Sequence, residues 1–276
     1  MKIRRGRSRA RTAISCVIAL ACVAGIGYSG YKIIEWKIDS DKTAEQTGIV
    51  EDAADVKEID DDENTETIAN TEEKPESLYW KYIKMKLLDV DFGDLMSING
   101  DTKGWIQVSN TNINYPFVQY TDNDYYLRHS FDKTYSMAGW VFADFRNRVD
   151  GSDRNLILYA HGRLDSTMFG SLRNALTNGW LSNPDNFTIR TVNNSETDLW
   201  QVFSAYKIPT TSDYIQTFFN DDDEFGRFAN ILKDRSAHDF NTSVTGQDKI
   251  LTLSTCYSQT ERMVVHAKLI KRAPKL

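Results

Sequence analysis

The chain has 276 residues, 41% of them hydrophobic, and a formal net charge of −6. That length can bury the core of one large domain or two small ones. The part of the chain expected to fold is near neutral and has no glycine-rich phosphate loop, which argues against a nucleic acid as the main partner.

The charge is unevenly spread. Lys2, Arg4, Arg5, Arg7, Arg9 and Arg11 crowd the first eleven residues with no acid among them, and residues 12–31 carry no charge at all. Twenty helical residues span about 30 Å, the depth of a bilayer core. With the basic flank first, residues 1–11 are expected to form a cytoplasmic tail and residues 12–34 a single transmembrane anchor, leaving the remainder outside the cell. The alternative is a cleaved signal peptide, because residues 19–22 (ALAC) faintly resemble a lipoprotein processing site. The apolar run continues past Cys22, further than an ordinary signal peptide requires. Residues 39–76 then hold fifteen acids against three lysines, with no aromatic residue. The whole segment 35–76 is expected to be a disordered, self-repelling stalk.

Residues 77–276 are expected to form the folded domain. Leu78, Tyr79, Tyr82, Ile83, Met85 and Leu87 suit a short amphipathic helix capped by Ser77. Strand patterns follow at 104–108, 113–119, 139–143 and 156–160, the last almost wholly apolar and hence central. A short helix is expected at 168–176, and strands at 187–191 and 199–208. Residues 212–236 show helical spacing of Tyr214, Ile215, Phe218, Phe219, Phe225, Phe228, Ile231 and Leu232 and read as a helical insertion. Two final strands, 250–256 and 263–267, flank a polar turn. Many short strands with a few helices imply a mainly β fold, a barrel or sandwich with helical additions.

Chemistry concentrates at strand ends. Cys256 ends one strand, Arg262 opens the next, and a hairpin brings the two together. The other cysteines, Cys16 and Cys22, lie in the apolar N-terminal segment, so Cys256 has no obvious disulfide partner. His161 directly follows the strand at 156–160. His129 sits in a polar run, His238 in a loop, and His266 inside the last strand, where it packs or faces solvent. A thiol nucleophile, an acid for the leaving amine and an oxyanion donor are the parts acyl transfer needs. No Cys or His pairs occur at metal-ligand spacing, and no cofactor is implied. An inert binding module that keeps the same fold, or a hydrolysing Cys–His peptidase of the cell wall, remains open at this level.

The sequence TLSTC at 252–256, with Arg262 opening the next strand, resembles the catalytic signature of sortases, the transpeptidases of Gram-positive cell surfaces. LYAHG at 158–162 is similar to their histidine motif, and MFGSL at 168–172 and DNDYYL at 122–127 are similar to class B members. The resemblance covers roughly residues 78–272. It implies an eight-stranded β-barrel with an N-terminal helix and a helical insertion before the cysteine strand. It also implies an enzyme that cuts a sorting signal after threonine and joins the surface protein to a peptidoglycan or pilin amine. Carried over, Cys256 is the nucleophile, His161 the proton carrier and Arg262 the oxyanion donor. Ser254 and Thr255 match positions near the substrate, and Leu127, Thr210, Tyr214 and Ile215 match the pocket that grips the signal. Class B resemblance further implies an Asn- or Pro-led pentapeptide ending in Thr-Gly or Thr-Asn. Two departures stand out: the gap from Cys256 to Arg262 is short for this class, and Gly162 stands where Asn often follows the histidine.

Overall fold

In the computed structural model, residues 4–68, 76–256 and 260–275 are described. The chain divides into two compact units, Met1–Ala44 and Glu45–Leu276. Helix α1 (Arg4–Ala53) begins in the first unit and runs into the second. Within the first unit its apolar residues, Ile14 to Ile26, are all exposed, and the helix is long and apolar enough to cross a membrane.

The second unit continues with β1 (Asp55–Ile59), β2 (Glu66–Thr67), α2 (Tyr79–Tyr82), β3 (Leu87–Asp91) and α3 (Gly93–Ile98). Next come β4 (Thr102–Val108), β5 (Asn114–Val118), β6 (Phe142–Ala143), β7 (Asn155–Ala160) and α4 (Asn178–Leu181). Then follow β8 (Thr188–Asn193), β9 (Glu196–Pro209), α5 (Asp222–Asp234), β10 (Ile250–Cys256) and β11 (Glu261–Pro274). Eight strands pair in the order β10-β7-β6-β5-β4-β8-β9-β11, and β11 pairs back onto β10. The sheet is therefore a closed eight-stranded barrel, with β2 added along β11. Closure removes the exposed edges an open sheet would present.

Strand alternation divides the apolar residues between two cores. Leu251 and Leu253 of β10 and Val265 and Ala267 of β11 join the main core, with Ile106, Phe117 and Leu158. Ile250, Val264 and Phe203 point the other way, into a second cluster under α5. This helix buries Phe225, Phe228, Ala229 and Leu232, one face at i, i+3, i+4 and i+7 spacing. Asp221 caps it by accepting from Glu224 N, while the Glu224 carboxylate accepts from N of Asn220, the residue before the cap, and the two bonds fix where the helix starts. Burial on both faces explains why β9, β10 and β11 read as nearly continuous buried runs.

Three expectations need revision. The N-terminal helix is confined to Tyr79–Tyr82, and residues 87–91 form a strand, because Leu87, Leu88 and Val90 enter the core while Asp89 and Asp91 stay outside it. The helix expected at 168–176 is a 3₁₀ segment, Gly170–Leu176. Residues 45–68 also depart from the disordered stalk. β1 pairs antiparallel with β3, β2 pairs with Lys271 and Arg272, and Val50 is buried in the main core. Val50, Val56 and Ile59 supply apolar anchors within the acidic run, and backbone pairing is indifferent to side-chain charge. The acids also find cations: Asp61 accepts from the buried Lys271 Nζ at 2.6 Å, and Glu58 accepts from Arg190 at 2.7 Å. Of the rest of the expected stalk, residues 35–44 belong to helix α1, and residues 69–75 lie outside the described residues, as do residues 257–259 of the turn after Cys256.

Candidate active site

Three neighbouring strands end at one mouth of the barrel. β7 and β10 run parallel with Ser254 opposite Tyr159 and Thr255 opposite Ala160, so His161 and Cys256 are the next residues on adjacent strands. β10 and β11 run antiparallel, and Cys256 is register partner to Arg262. Neighbouring strands lie about 4.8 Å apart. The backbone of Cys256 is thus flanked by the strand leading to His161 and by the strand that Arg262 opens. The side chain of Cys256 lies outside the described residues.

His161 is held from several sides. Its Nε2 donates to the Leu127 carbonyl at 2.8 Å, which fixes the plane of the ring. Its own carbonyl accepts from Phe169 N at 3.0 Å. Gly162 forms a bridge with Met168, and its carbonyl accepts from Arg173 at 2.8 Å. Arg163 and Asp165 form a largely buried ion pair inside this loop, 2.8 Å apart. The Leu127 carbonyl is itself fixed. The Asp122 carboxylate accepts from Asp124 N and Tyr125 N, starting the 3₁₀ turn Tyr125–Leu127. Gly139, at φ +59°, packs so closely on the Tyr126 and Leu127 carbonyls that a Cβ would collide with both.

A cleft of about 310 Å³ opens here, lined by His161 and Arg262 together with Leu127, Tyr214, Ile215, Ser254 and Thr255. Its size suits a short peptide segment or small ligand. Tyr214 is buried, and its hydroxyl lies 2.9 Å from Ser254 Oγ. Thr255 Oγ1 is buried in the cleft wall with no hydrogen-bond partner among the described residues, a group that a ligand would satisfy. Arg262 is half-buried, and one guanidinium nitrogen donates to the Glu261 carbonyl at 3.3 Å. Thr210 is exposed, its amide donating to Thr260 O, and its neighbour Thr211 lines the cleft instead. Tyr214 and Ile215 precede α5, so this wall is irregular chain and not helix, contrary to the periodicity reading.

Asn123, Phe142 and Tyr159 also line the cleft and escape the residue-by-residue reading. For Tyr159 a signal existed, since it lies two residues before His161 and so shares its strand face. The other histidines are accounted for elsewhere. His129 stacks on Tyr125 with centroids 3.9 Å apart, and His238 packs edge-on to Phe240. His266 is fully buried, its Nε2 2.8 Å from Tyr206 Oη and its Nδ1 2.9 Å from Thr252 Oγ1. Burial first, and then the Arg235 charge, push its pKa down to about 3. A larger depression of about 730 Å³, bordered by Lys81, Gln107 and Arg190, contains neither Cys nor His.

A closed barrel that carries Cys, His and Arg on adjoining strands around a peptide-sized cleft defines a class of cysteine acyl-transfer enzymes. Comparison with known proteins narrows the class: the Sortase domain family matches residues 106–270. The chain belongs to the sortase family, and within it to class B, the cysteine transpeptidases. Sortase B of Listeria monocytogenes is 35% identical over 184 residues, covering 65% of this chain and 74% of the relative. Sortase B of Staphylococcus aureus is 39% identical over 184 residues, covering 65% and 75%. Among solved structures, sortase B from Bacillus anthracis in complex with AAEK1 superposes with a TM-score of 0.66 at 31% identity, covering 87% of this chain and 99% of that one. The Staphylococcus aureus sortase B–substrate complex gives 0.61 at 39% identity, over 65% and 84%. A sortase B complexed with triglycine gives 0.61 at 38% identity, over 65% and 85%.

Proposed function

We propose that this sortase is a membrane-anchored enzyme that cleaves a sorting signal after threonine and transfers the surface protein to a cell-wall amine. The observation that carries the reading is the register that sets Cys256 between the strand leading to His161 and the strand beginning at Arg262. In this reading the Cys256 thiolate attacks the threonine carbonyl, and the Arg262 guanidinium holds the developing oxyanion. The intermediate collapses, the amide C–N bond breaks, and the departing amine takes a proton from His161. The resulting thioester is then attacked by the incoming amine. That amine returns its proton to His161, and the Cys256 sulfur leaves. Ser254, Thr255, Leu127, Tyr214 and Ile215 grip the signal, and Thr210 belongs to the rim of the same wall. The Thr255 hydroxyl, without a hydrogen-bond partner among the described residues, supports this assignment. A peptidoglycan amine as acceptor is supported by the relative crystallised with triglycine.

Residues 12–34 serve as the anchor, with residues 1–11 in the cytoplasm and the barrel outside. The uncharged stretch within α1 and the basic residues before it support this orientation. The chain in detergent micelles is to be incubated with threonine-containing signal peptides and triglycine, and products read by mass spectrometry. A ligated peptide–triglycine product that disappears in Cys256→Ala is expected. Hydrolysis without ligation in the presence of excess amine would replace the transferase by a cell-wall peptidase, and turnover retained by Cys256→Ala would end the reading altogether.

A further inference from the structure

One carboxylate organises much of the cleft without lining it. Asp144 follows directly on β6 and is fully buried. Its Oδ1 accepts from Arg146 N at 3.0 Å and Arg146 Nε at 2.8 Å. Its Oδ2 accepts from an Arg146 terminal nitrogen at 2.7 Å, from Tyr159 Oη at 2.8 Å and from Asn123 Nδ2 at 3.1 Å. The same Arg146 nitrogen donates to the Ile215 carbonyl at 2.9 Å. Asn123 Oδ1 in turn accepts from Phe145 N at 3.0 Å, so that side-chain amide is oriented at both ends.

Two cleft-lining residues, Asn123 and Tyr159, therefore bond one anion directly, and a third, Ile215, is tied to it through Arg146, from three separate stretches of chain. None of the five donors is expendable to a neutral isostere. An asparagine at 144 would aim its own N–H groups either at the two donors on one side or at the three on the other. Burial raises the carboxyl pKa and the bonds from Arg146 lower it further than that, so Asp144 stays ionised.

We infer that Asp144, acting through Arg146, Tyr159 and Asn123, is the positioning residue that sets the walls of the acyl-donor cleft. The inference rests on reading this cleft as the signal-binding site. Asp144 touches no reacting group, so its removal is to weaken signal binding and spare the thiol.

The test uses the full chain in detergent micelles, with Asp144→Asn and Arg146→Lys. Arg146 is more than a third exposed, and the lysine retains the charge while losing the fork that reaches both Asp144 and Ile215. Expected is a rise in KM for the signal peptide of about tenfold for Asp144→Asn and about threefold for Arg146→Lys, with kcat within about twofold. The pH profile of Cys256 alkylation by iodoacetamide is expected to be unmoved. A fall in kcat at constant KM, a displaced alkylation profile, or unchanged KM in both variants would overturn the inference. Should Asp144→Asn fail to fold, Arg146→Lys decides alone. Peptide binding to Cys256→Ala separates the two readings. If that chain binds no signal peptide, the cleft assignment fails; if it binds and adding Arg146→Lys changes nothing, only the role of Asp144 fails.

Discussion

Replacing His266 by glutamine should flatten the acid limb of the stability curve. Thr252 Oγ1 donates its single hydrogen to Asn155 Oδ1 at 2.7 Å, so it accepts from His266 Nδ1, and Nε2 must accept from the Tyr206 hydroxyl. A second proton on this ring would face a donor, inside a site with no water access, near the Arg235 charge. The folded pKa is accordingly pushed down to about 3, against 6.5 for an unconstrained histidine. Between those values the unfolded chain takes up a proton that the folded chain refuses. The stabilisation is complete above pH 6.5 and is lost as the pH falls towards 3. At about 1.4 kcal/mol for each pH unit, the loss from pH 6 to pH 4 is about 3 kcal/mol. Other groups contribute in the same range: the buried Asp198 is raised, mainly by desolvation, and opposes this slope. They are common to both proteins and cancel in the difference. Denaturant titrations of the unit from Glu45 onward at pH 7, 6, 5 and 4 give the measurement. Relative to His266→Gln, the parent should lose about 3 kcal/mol between pH 6 and 4. The variant should itself be less stable at pH 7 by about 1–3 kcal/mol, for the bonds it no longer makes. Parallel curves for the two proteins between pH 6 and 4 would refute the reasoning.

Three further outcomes follow from the site. Cys256→Ala should abolish peptide turnover, and His161→Ala and Arg262→Ala should each lower kcat/KM by about 100-fold or more, read in a fluorogenic signal-peptide assay. Tyr214→Phe removes the partner of Ser254 Oγ at 2.9 Å from a buried wall, and should lower stability by about 1 kcal/mol and raise KM, as read by thermal melts and steady-state kinetics. Gly139→Ala forces a Cβ onto the Tyr126 and Leu127 carbonyls, one of which orients His161. A destabilisation of about 1–3 kcal/mol is expected, with a larger fall in kcat than the melt alone explains.

Much of the barrel was legible because its strands obey a period of two. The run ending at Cys256 was apparent from alternation and β-branched residues and the run ending at Ala160 from its unbroken apolar character, and the structure places them side by side as β10 and β7. Helical periodicity misled at residues 211–219. Tyr214 and Ile215 have helical spacing relative to Phe218, yet the segment is held as irregular chain by side chains distant in sequence. Arg146 takes the Ile215 carbonyl, Asn155 the Gln216 carbonyl at 2.9 Å, and Arg235 pairs with Asp213 at 2.5 Å. Those bonds join residues 22 to 69 positions apart, which no local window contains.

The sequence by itself determined that a cysteine, a histidine and an arginine stand at strand ends, and it determined the uncharged segment near the N-terminus and the family. Each of these is a local pattern: a strand period, a charge gap, a short motif. Only the tertiary structure decided that the barrel closes through β10 and β11, that the acidic strand β2 pairs onto β11, and that β1 pairs with β3. Only it separated His266, locked neutral between Tyr206 and Thr252, from His161, bonded through Nε2 to Leu127. The physical reason is common to all of these. A polar side chain acquires its role from its partner and its burial, and both are set by strands that meet only when the sheet closes.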